Sequence, residues 1–217
     1  MTATGAQRPR RQRNPRGQGE RLRDDIIEAA SRLLEDPAAP PLSLRSVARA
    51  VGVAATSVYL HFDDMDSLVR AVGARRFGEL VRSQEEASRH LADPCARVHA
   101  EALAYCQFGL AHPGYYQVMF ANPLPVRPPR PDGDREQLPG QPALDRLAGL
   151  VAACAGCPAG DAASTRTAIL IWQQLHGAVS LRISRPLFPW PPLADSVADA
   201  VGRLLDGARA EQQTQAR

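Results

Sequence analysis

Three side chains able to donate to phosphate oxygens, Ser57, Tyr59 and His61, stand at alternate positions of the stretch VGVAATSVYLHF, residues 51–62. Two hydroxyls and an imidazole on one short element suit contacts that fix register on a nucleic-acid backbone. Just ahead of them, Ala54, Ala55 and Thr56 are small enough to let a helix end approach base edges. Thr56 can bond a base or touch a thymine methyl, and Arg45, a few residues earlier, suits bidentate recognition of a guanine. With Ser43, these give a candidate DNA-contacting set: Ser43, Arg45, Ala55, Thr56, Ser57, Tyr59 and His61. The competing reading is a helical corner in which Tyr59 and Phe62 simply pack on a core.

A second set of reactive residues leads less far. Cys95, His99 and Cys106 follow at i, i+4 and i+11, and Cys154 and Cys157 form a C-x-x-C. Eleven residues of helix span about 16 Å, so one soft metal could take Cys95 and His99 but not Cys106 as well. No second ligand pair lies near the C-x-x-C. No nucleophile–base constellation or phosphate-binding glycine loop stands out, so no catalytic residue, metal or cofactor is expected. The N-terminus carries arginines but no apolar segment of an export leader. Four cysteines in such a chain predict a reducing, cytoplasmic setting with free, buried thiols rather than disulfides.

Hydrophobic periodicity predicts the elements that must hold these residues. Leu22, Ile26, Ile27, Ala30, Leu33 and Leu34 recur at helical spacing until the break PAAPP at 37–41. Ser43 is a credible N-cap for a helix over 44–51, which Gly52 stops. A second short helix follows at about 54–60, then a long one over 64–91. Asp93-Pro94 restarts the chain as a helix to about 111, and YYQVMF reads as another short one. Residues 121–141 hold six prolines and read as a long loop, a lid or a disordered segment. Helices resume over 142–155, 161–184 and 193–210, with a frayed tail. No period-2 segment intervenes, so the predicted fold is all-α with about nine helices.

At 217 residues with 44% hydrophobic and 23% charged content, the chain is ordinary for a globular protein. Its longest uncharged run, 102–126, is broken by Gln107, His112, Pro113, Asn122 and Pro123, which argues against a membrane span. The net charge of +3 is unevenly placed: residues 1–23 contain seven arginines against one glutamate, leaving the remainder slightly acidic. Residues 1–19 therefore read as a disordered basic arm suited to a polyanion, or as a solvated leader.

Two short helices joined through a glycine have the spacing of a helix-turn-helix, whose second helix enters the major groove. Beyond spacing, residues 24–72 closely resemble the DNA-binding domain of the TetR family of bacterial transcriptional repressors. The resemblance rests on IIEAASRLL, SLRSVARAVGV, SVYLHF and the D..SL..AV start of the next helix, in that order. It implies that Ser57, Tyr59 and His61 face phosphates, and that Arg45, Ala55 and Thr56 lie where bases are read. One departure stands out. Where that family usually has a lysine, this chain has Met65 among Asp63, Asp64 and Asp66; the basic arm could compensate from the minor groove.

Further along, IWQQLHGAVSL, with Trp172, His176 and Gly177, resembles the Trp–His–Gly signature of one subgroup of TetR C-terminal domains, and HPGYYQVMF resembles a second element of it. The resemblance implies a helix-turn-helix domain at 20–66 and a ligand-binding and dimerisation domain at 67–210. It also implies a pocket drawn from Phe77, Tyr105, Phe108, Tyr115, Tyr116, Met119, Trp172, Gln173 and His176, although aromatics at this spacing also build cores. An apolar stripe at Val197, Ala198, Val201, Leu204, Leu205 and Ala208 offers either a dimer face or intrachain packing. The expected protein is a homodimeric regulator, a repressor released from a palindromic double-stranded DNA operator by a small-molecule effector, without membrane partners. Two other readings stay open: a helical enzyme or ligand carrier that has lost DNA binding, and a metal- or thiol-responsive regulator.

Overall fold

The computed structural model describes residues 18–36, 38–121 and 140–215, and among these it is built of nine α-helices with no strand. The basic arm expected at 1–19 falls almost wholly outside the described residues, as does the proline-rich stretch from 122 to 139. In order, the helices are α1 (Gln18–Glu35), α2 (Leu44–Val51), α3 (Ala55–Tyr59), α4 (Met65–Ser88), α5 (Pro94–Ala111), α6 (Pro113–Ala121), α7 (Gln141–Ala155), α8 (Ala162–Ser184) and α9 (Leu193–Gln215).

Local chemistry fixes several starts. Ser43 closes a capping box on α2, accepting from the Ser46 amide at 3.0 Å while the Ser46 hydroxyl accepts from the Ser43 amide at 2.9 Å. Asp64 does the same for α4 with Ser67, its carboxylate accepting from the Ser67 amide at 2.6 Å. The acidic run that looked unsuited to a DNA-facing turn thus has a structural use at Asp64. Met65 packs on the apolar face beside it. Asp93 caps α5 ahead of Pro94, and Asp161 caps α8 through the Ser164 amide and hydroxyl.

Apolar faces then sort the helices into two cores. Ile26 and Ile27 from α1, Leu44, Val47 and Ala48 from α2, Val58 and Phe62, and Leu68 and Val72 from α4 make the first. Leu80 from α4, Val98 and Tyr105 from α5, Val151 from α7, Ile171 and Val179 from α8, and Val197, Val201 and Leu205 from α9 make the second. The helix α4 contributes to both. The α9 stripe therefore serves intrachain packing: Val197, Val201, Leu205 and Ala208 are buried within the subunit, and Ala198 is exposed. The frayed tail expected after residue 210 is instead helix through Gln215.

The cysteine expectation needs correction. Cys95 in the first turn of α5 and Cys154 in the last turn of α7 form a disulfide across 59 residues of sequence. Spacing could not reveal it, because the tertiary packing of two helices brings the sulfurs together. Cys106 and Cys157 are free thiols, and burial pushes Cys106 up to about 12. Among the described residues no group of three or more His, Cys, Asp or Glu could hold a metal.

Two capping carboxylates give the fold a measurable acid limb. Backbone hydrogen bonds from Ser67 and Ser164 hold Asp64 and Asp161 below their ordinary values. A depressed folded-state value means that their stabilisation is present above the unfolded carboxylate range and is lost as pH falls through the folded one. Asparagine caps nearly as well as aspartate but does not titrate. A double Asp64→Asn/Asp161→Asn protein should therefore show a shallower fall of Tm below about pH 4 than wild type; parallel curves would refute the caps. Packing offers a second check at Gly109, where an added Cβ would sit 2.7 Å from the Tyr116 ring and from Val179 Cγ1. Gly109→Ala should cost about 1–3 kcal/mol in urea unfolding. Gly149→Ala, with open space around it, should be neutral or stabilising.

Candidate nucleic-acid interface and ligand cleft

A turn that only glycine adopts easily sets the first site. Gly52 takes φ 81°, and its amide donates to the Ala48 carbonyl at 2.9 Å, ending α2 sharply. The Val53 amide shares that carbonyl, and Val58 of α3 is fully buried against α1 and α2. This wedge leaves the opposite side of α3 to solvent. Thr56, Tyr59 and Leu60 are exposed there, Tyr59 at 52% and Leu60 at 73%, while Ala55, Ser57 and His61 are half-buried. Phe62 is buried and lies under the Arg23 guanidinium, 5.0 Å from its ring centroid. The corner reading therefore holds for Phe62 but not for Tyr59. On α2, Arg45 and Arg49 are both exposed. Ser43 is half-buried, with its hydroxyl engaged in the cap. An outward apolar residue, Leu60, and a second arginine, Arg49, share the surface without having been singled out from sequence; their i+4 spacing from Thr56 and Arg45 was the available signal.

The second site lies in the larger core, where a chain of hydrogen bonds crosses three helices. Tyr105 Oη on α5 is 2.9 Å from Tyr116 Oη on α6, which is 2.8 Å from His176 Nδ1 on α8. His176 Nε2 is in turn 3.3 Å from Ser180 Oγ. Burial holds the His176 imidazole below its ordinary value, so it is neutral near pH 7, and burial raises both tyrosines. A neutral ring allows one direction in which every buried donor is used. Tyr105 donates to Tyr116, Tyr116 to Nδ1, and Nε2–H to Ser180, whose own O–H also bears on Tyr116.

The Ser180 hydroxyl borders an open cleft of about 270 Å³ lined by Tyr116, Gln117, Phe120, His176, Ser180, Ile183 and Ser184. Of the residues singled out from sequence, His176 and Tyr116 line it. Tyr105 stands one hydrogen bond behind, and Phe108 and Met119 are half-buried packing residues. Trp172 and Gln173 are exposed on α8, with the Trp172 ring 6.3 Å from Phe120. Phe77 packs edge-on against Phe120 at 5.4 Å. Ser180, Ile183 and Ser184 were not anticipated, although each follows His176 at helical spacing.

Tyr115 faces elsewhere. Its ring lies under the Arg76 guanidinium of α4 at 4.2 Å, and its amide donates to Glu35 Oε1 of α1 at 2.7 Å. Arg76 is buried and also pairs with Glu28 of α1 at 2.9 Å and with Glu79, while its Nε donates to Ser31 Oγ of α1 at 3.3 Å. Burial opposes its charge, but Glu79 and Glu28 outweigh that, and Arg76 stays above its ordinary value. Gly114 brings α6 so close to α1 that a Cβ would run into the Leu34 carbonyl. Neighbouring tyrosines thus face two sites: Tyr115 the junction with α1 and α4, Tyr116 the cleft. An arginine at 76, in the apolar register of Leu68, Val72 and Leu80, was the overlooked signal.

Residues 26–72 match the profile of bacterial regulatory proteins of the tetR family, and residues 98–206 match that of the tetracyclin repressor-like C-terminal domain. Among solved structures, a protein with unknown function from Rhodococcus sp. RHA1 shares 28% identity at TM-score 0.68, covering 90% of this chain and 98% of its own. Two more share the fold at 18% identity. One, described as "a possible TetR family transcriptional regulator" from Streptomyces coelicolor A3(2), has TM-score 0.61, with 87% of this chain and 98% of that one covered. The other, a TetR-like transcriptional regulator from Rhodococcus sp. RHA1, has TM-score 0.56, with 91% and 99% covered. Among the described residues no helix is long and apolar enough to cross a membrane. A helix-turn-helix with its outer face open, joined through one shared helix to a second core that carries a cleft, is the arrangement of a DNA-binding transcriptional regulator, and this chain belongs to the tetR family of bacterial regulatory proteins.

Proposed function

We propose that the protein is a repressor that binds a near-palindromic operator as a homodimer and is released by a small, neutral effector. The observation that carries this is the back-to-back placement of Tyr115 and Tyr116 on α6. The first engages Arg76 and α1, which pack the helix-turn-helix. The second joins the hydrogen-bond chain at the cleft.

On the DNA side, Arg45 and Thr56 read base edges, and Ser57, Tyr59 and His61 hold phosphates, with Ala55 admitting the backbone closely. Ser43 orders the start of α2 and serves the interface through that helix. The arginine-rich arm, outside the described residues, brings cationic charge that offsets the lysine missing at Met65. Residues 20–66 form the reading unit and 67–210 the sensing and dimerising unit. The IWQQLHGAVSL stretch supports the subgroup with a Trp–His–Gly C-terminal signature. The protein is not an enzyme, needs no cofactor or metal, and works in the cytoplasm.

Among the described residues the cleft's lining includes no charged side chain, and its volume lies at the small end for ligand sites. An aromatic wall from Tyr116 and Phe120 with the Ser180 hydroxyl suits a compact, uncharged molecule bearing one acceptor oxygen. A ligand of this kind that moves Tyr116 also moves Tyr115 and the Gly114–Leu34 contact. A preference of ~100-fold for the state with mis-spaced recognition helices supplies about 2.7 kcal/mol of coupling.

Dimerisation is assigned to the outward face of α8. Leu170, Gly177 and Leu181 follow at i, i+7 and i+11; both leucines are exposed, and Gly177 has open space around it. A two-fold axis there would set two α3 helices about 34–36 Å apart, in successive major grooves.

Operator binding tests the reading directly. Selection from random duplexes should yield a near-palindrome. Arg45→Ala should then weaken binding by about 1–3 kcal/mol and relax preference at one position per half-site. Tyr59→Phe should weaken all sequences alike. No sequence-dependent retention by the wild type at moderate salt would defeat the reading. For the dimer, Leu170→Arg/Leu181→Arg should run as a monomer in light-scattering chromatography while keeping its helical signal; an unchanged dimer mass would move the interface elsewhere.

A further inference from the structure

Three features converge on one corner of the sensing core. Cys95 and Cys154 are bonded there, tying the start of α5 to the end of α7. The guanidinium of Arg209, from α9, donates through Nη2 to Cys95 Sγ at 2.7 Å and through Nε to the Cys154 carbonyl at 3.3 Å. Neither cysteine is buried from solvent: both are of intermediate exposure, unlike Cys106, which is fully buried. We propose that Cys95 and Cys154 form a peroxide-reactive dithiol site, and that its oxidation state is a second input to operator affinity.

The chemistry follows from the placement. In the reduced protein Arg209 is the cation in direct contact with Cys95 Sγ and favours its thiolate, the nucleophilic form. Asp93, whose carboxylate accepts from the Cys95 and Ala96 amides, and Asp206, 3.8 Å from Arg209, oppose this more weakly because neither touches the sulfur. The Cys95 thiolate attacks the terminal oxygen of a peroxide and breaks its O–O bond. This gives a sulfenic acid on Cys95 and, with one proton, an alcohol or water. Cys154 then attacks the Cys95 sulfur and the S–S bond forms. The sulfenyl oxygen leaves as hydroxide, which the Cys154 proton converts to water. Two thiols and one peroxide become one disulfide, one alcohol or water, and one further water.

The bond matters because of what else joins these helices. Seven residues beyond the start of α5, buried Glu101 accepts from Ser88 of α4 and from Arg146 of α7 at 2.7 Å, and Arg146 also pairs with Glu85 of α4 at 3.3 Å. The α5–α7 pair thus grips the far end of α4, whose near end packs the helix-turn-helix. Closing or opening the covalent tie changes how firmly that grip is held. This second clause rests on the proposed function, whereas the thiol chemistry stands without it.

The test uses the full chain, reduced, desalted and treated with one equivalent of hydrogen peroxide. Thiol titration should fall from four to two per chain, and non-reducing peptide mapping should recover Cys95 joined to Cys154. Arg209→Gln should slow thiol loss about tenfold, with Arg209→Lys restoring part of the rate. Operator Kd should differ at least about fivefold between oxidised and reduced wild type and be equal for the two treatments of Cys154→Ser. A disulfide mapped instead to Cys154–Cys157 or between chains, or a rate indifferent to Arg209, overturns the site. Equal operator Kd values in both states overturn the regulatory clause. Absence of operator binding in either state would instead count against the proposed function and leave the thiol result standing.

Discussion

A single buried guanidinium holds this molecule's two halves in register. Arg76 sits where hydrophobic spacing calls for an aliphatic side chain, and its charge is tolerable only because Glu28, Glu79 and Ser31 satisfy it. Removing one partner would leave a buried charge under-compensated, so α1 and α4 keep the geometry that pairs them. The Tyr115 ring covers the remaining face of the guanidinium and thereby recruits α6. Apolar packing alone would let these helices slide; directional partners do not.

The same device recurs at the other end of the sensing core. Buried Glu101 collects Ser88 and Arg146, so the long helix α4 is fixed by one ionic cluster near its midpoint and by another at its C-terminal end, rather than by apolar contact alone. Arg146 is held above its ordinary value chiefly by its hydrogen bond with Glu101, as a well-partnered cation should be. Elsewhere along this helix, at Leu68, Val72 and Leu80, the packing is generic apolar contact. Specificity of position therefore comes from few polar contacts, and the apolar cores supply most of the cohesion.

Much of the architecture was legible because the signals are local. The caps at Ser43 and Asp93, the stop at Gly52 and the 3.6-residue periodicity each act within a few residues of where they are read. The outward set on α2 and α3 followed for the same reason: once Val58 faces inward, Tyr59 and Thr56 must face out. What escaped reading depends on distance in sequence. The partners of Arg76 lie 45 and 48 residues away on α1, the disulfide closes 59 residues, and Tyr116 meets His176 across 60. Tyr115 and Tyr116 look equivalent in sequence; only the 100° between successive helix positions sends one to the junction and the other to the cleft. The α9 stripe was ambiguous in principle, since a face buried on its own subunit and one buried on a second copy have identical periodicity.

The helix common to both cores has a mechanical consequence. With 24 residues, α4 is a rod about 36 Å long. If it pivots at the Glu101 end by about 5°, its opposite tip travels about 3 Å, whereas a hydrogen bond to a base edge tolerates only a few tenths of an ångström. Displacements too small to disturb the sensing core's packing are magnified by leverage into loss of groove contact. Regulation in such a scaffold needs no large rearrangement, only a fulcrum that can be loosened or set.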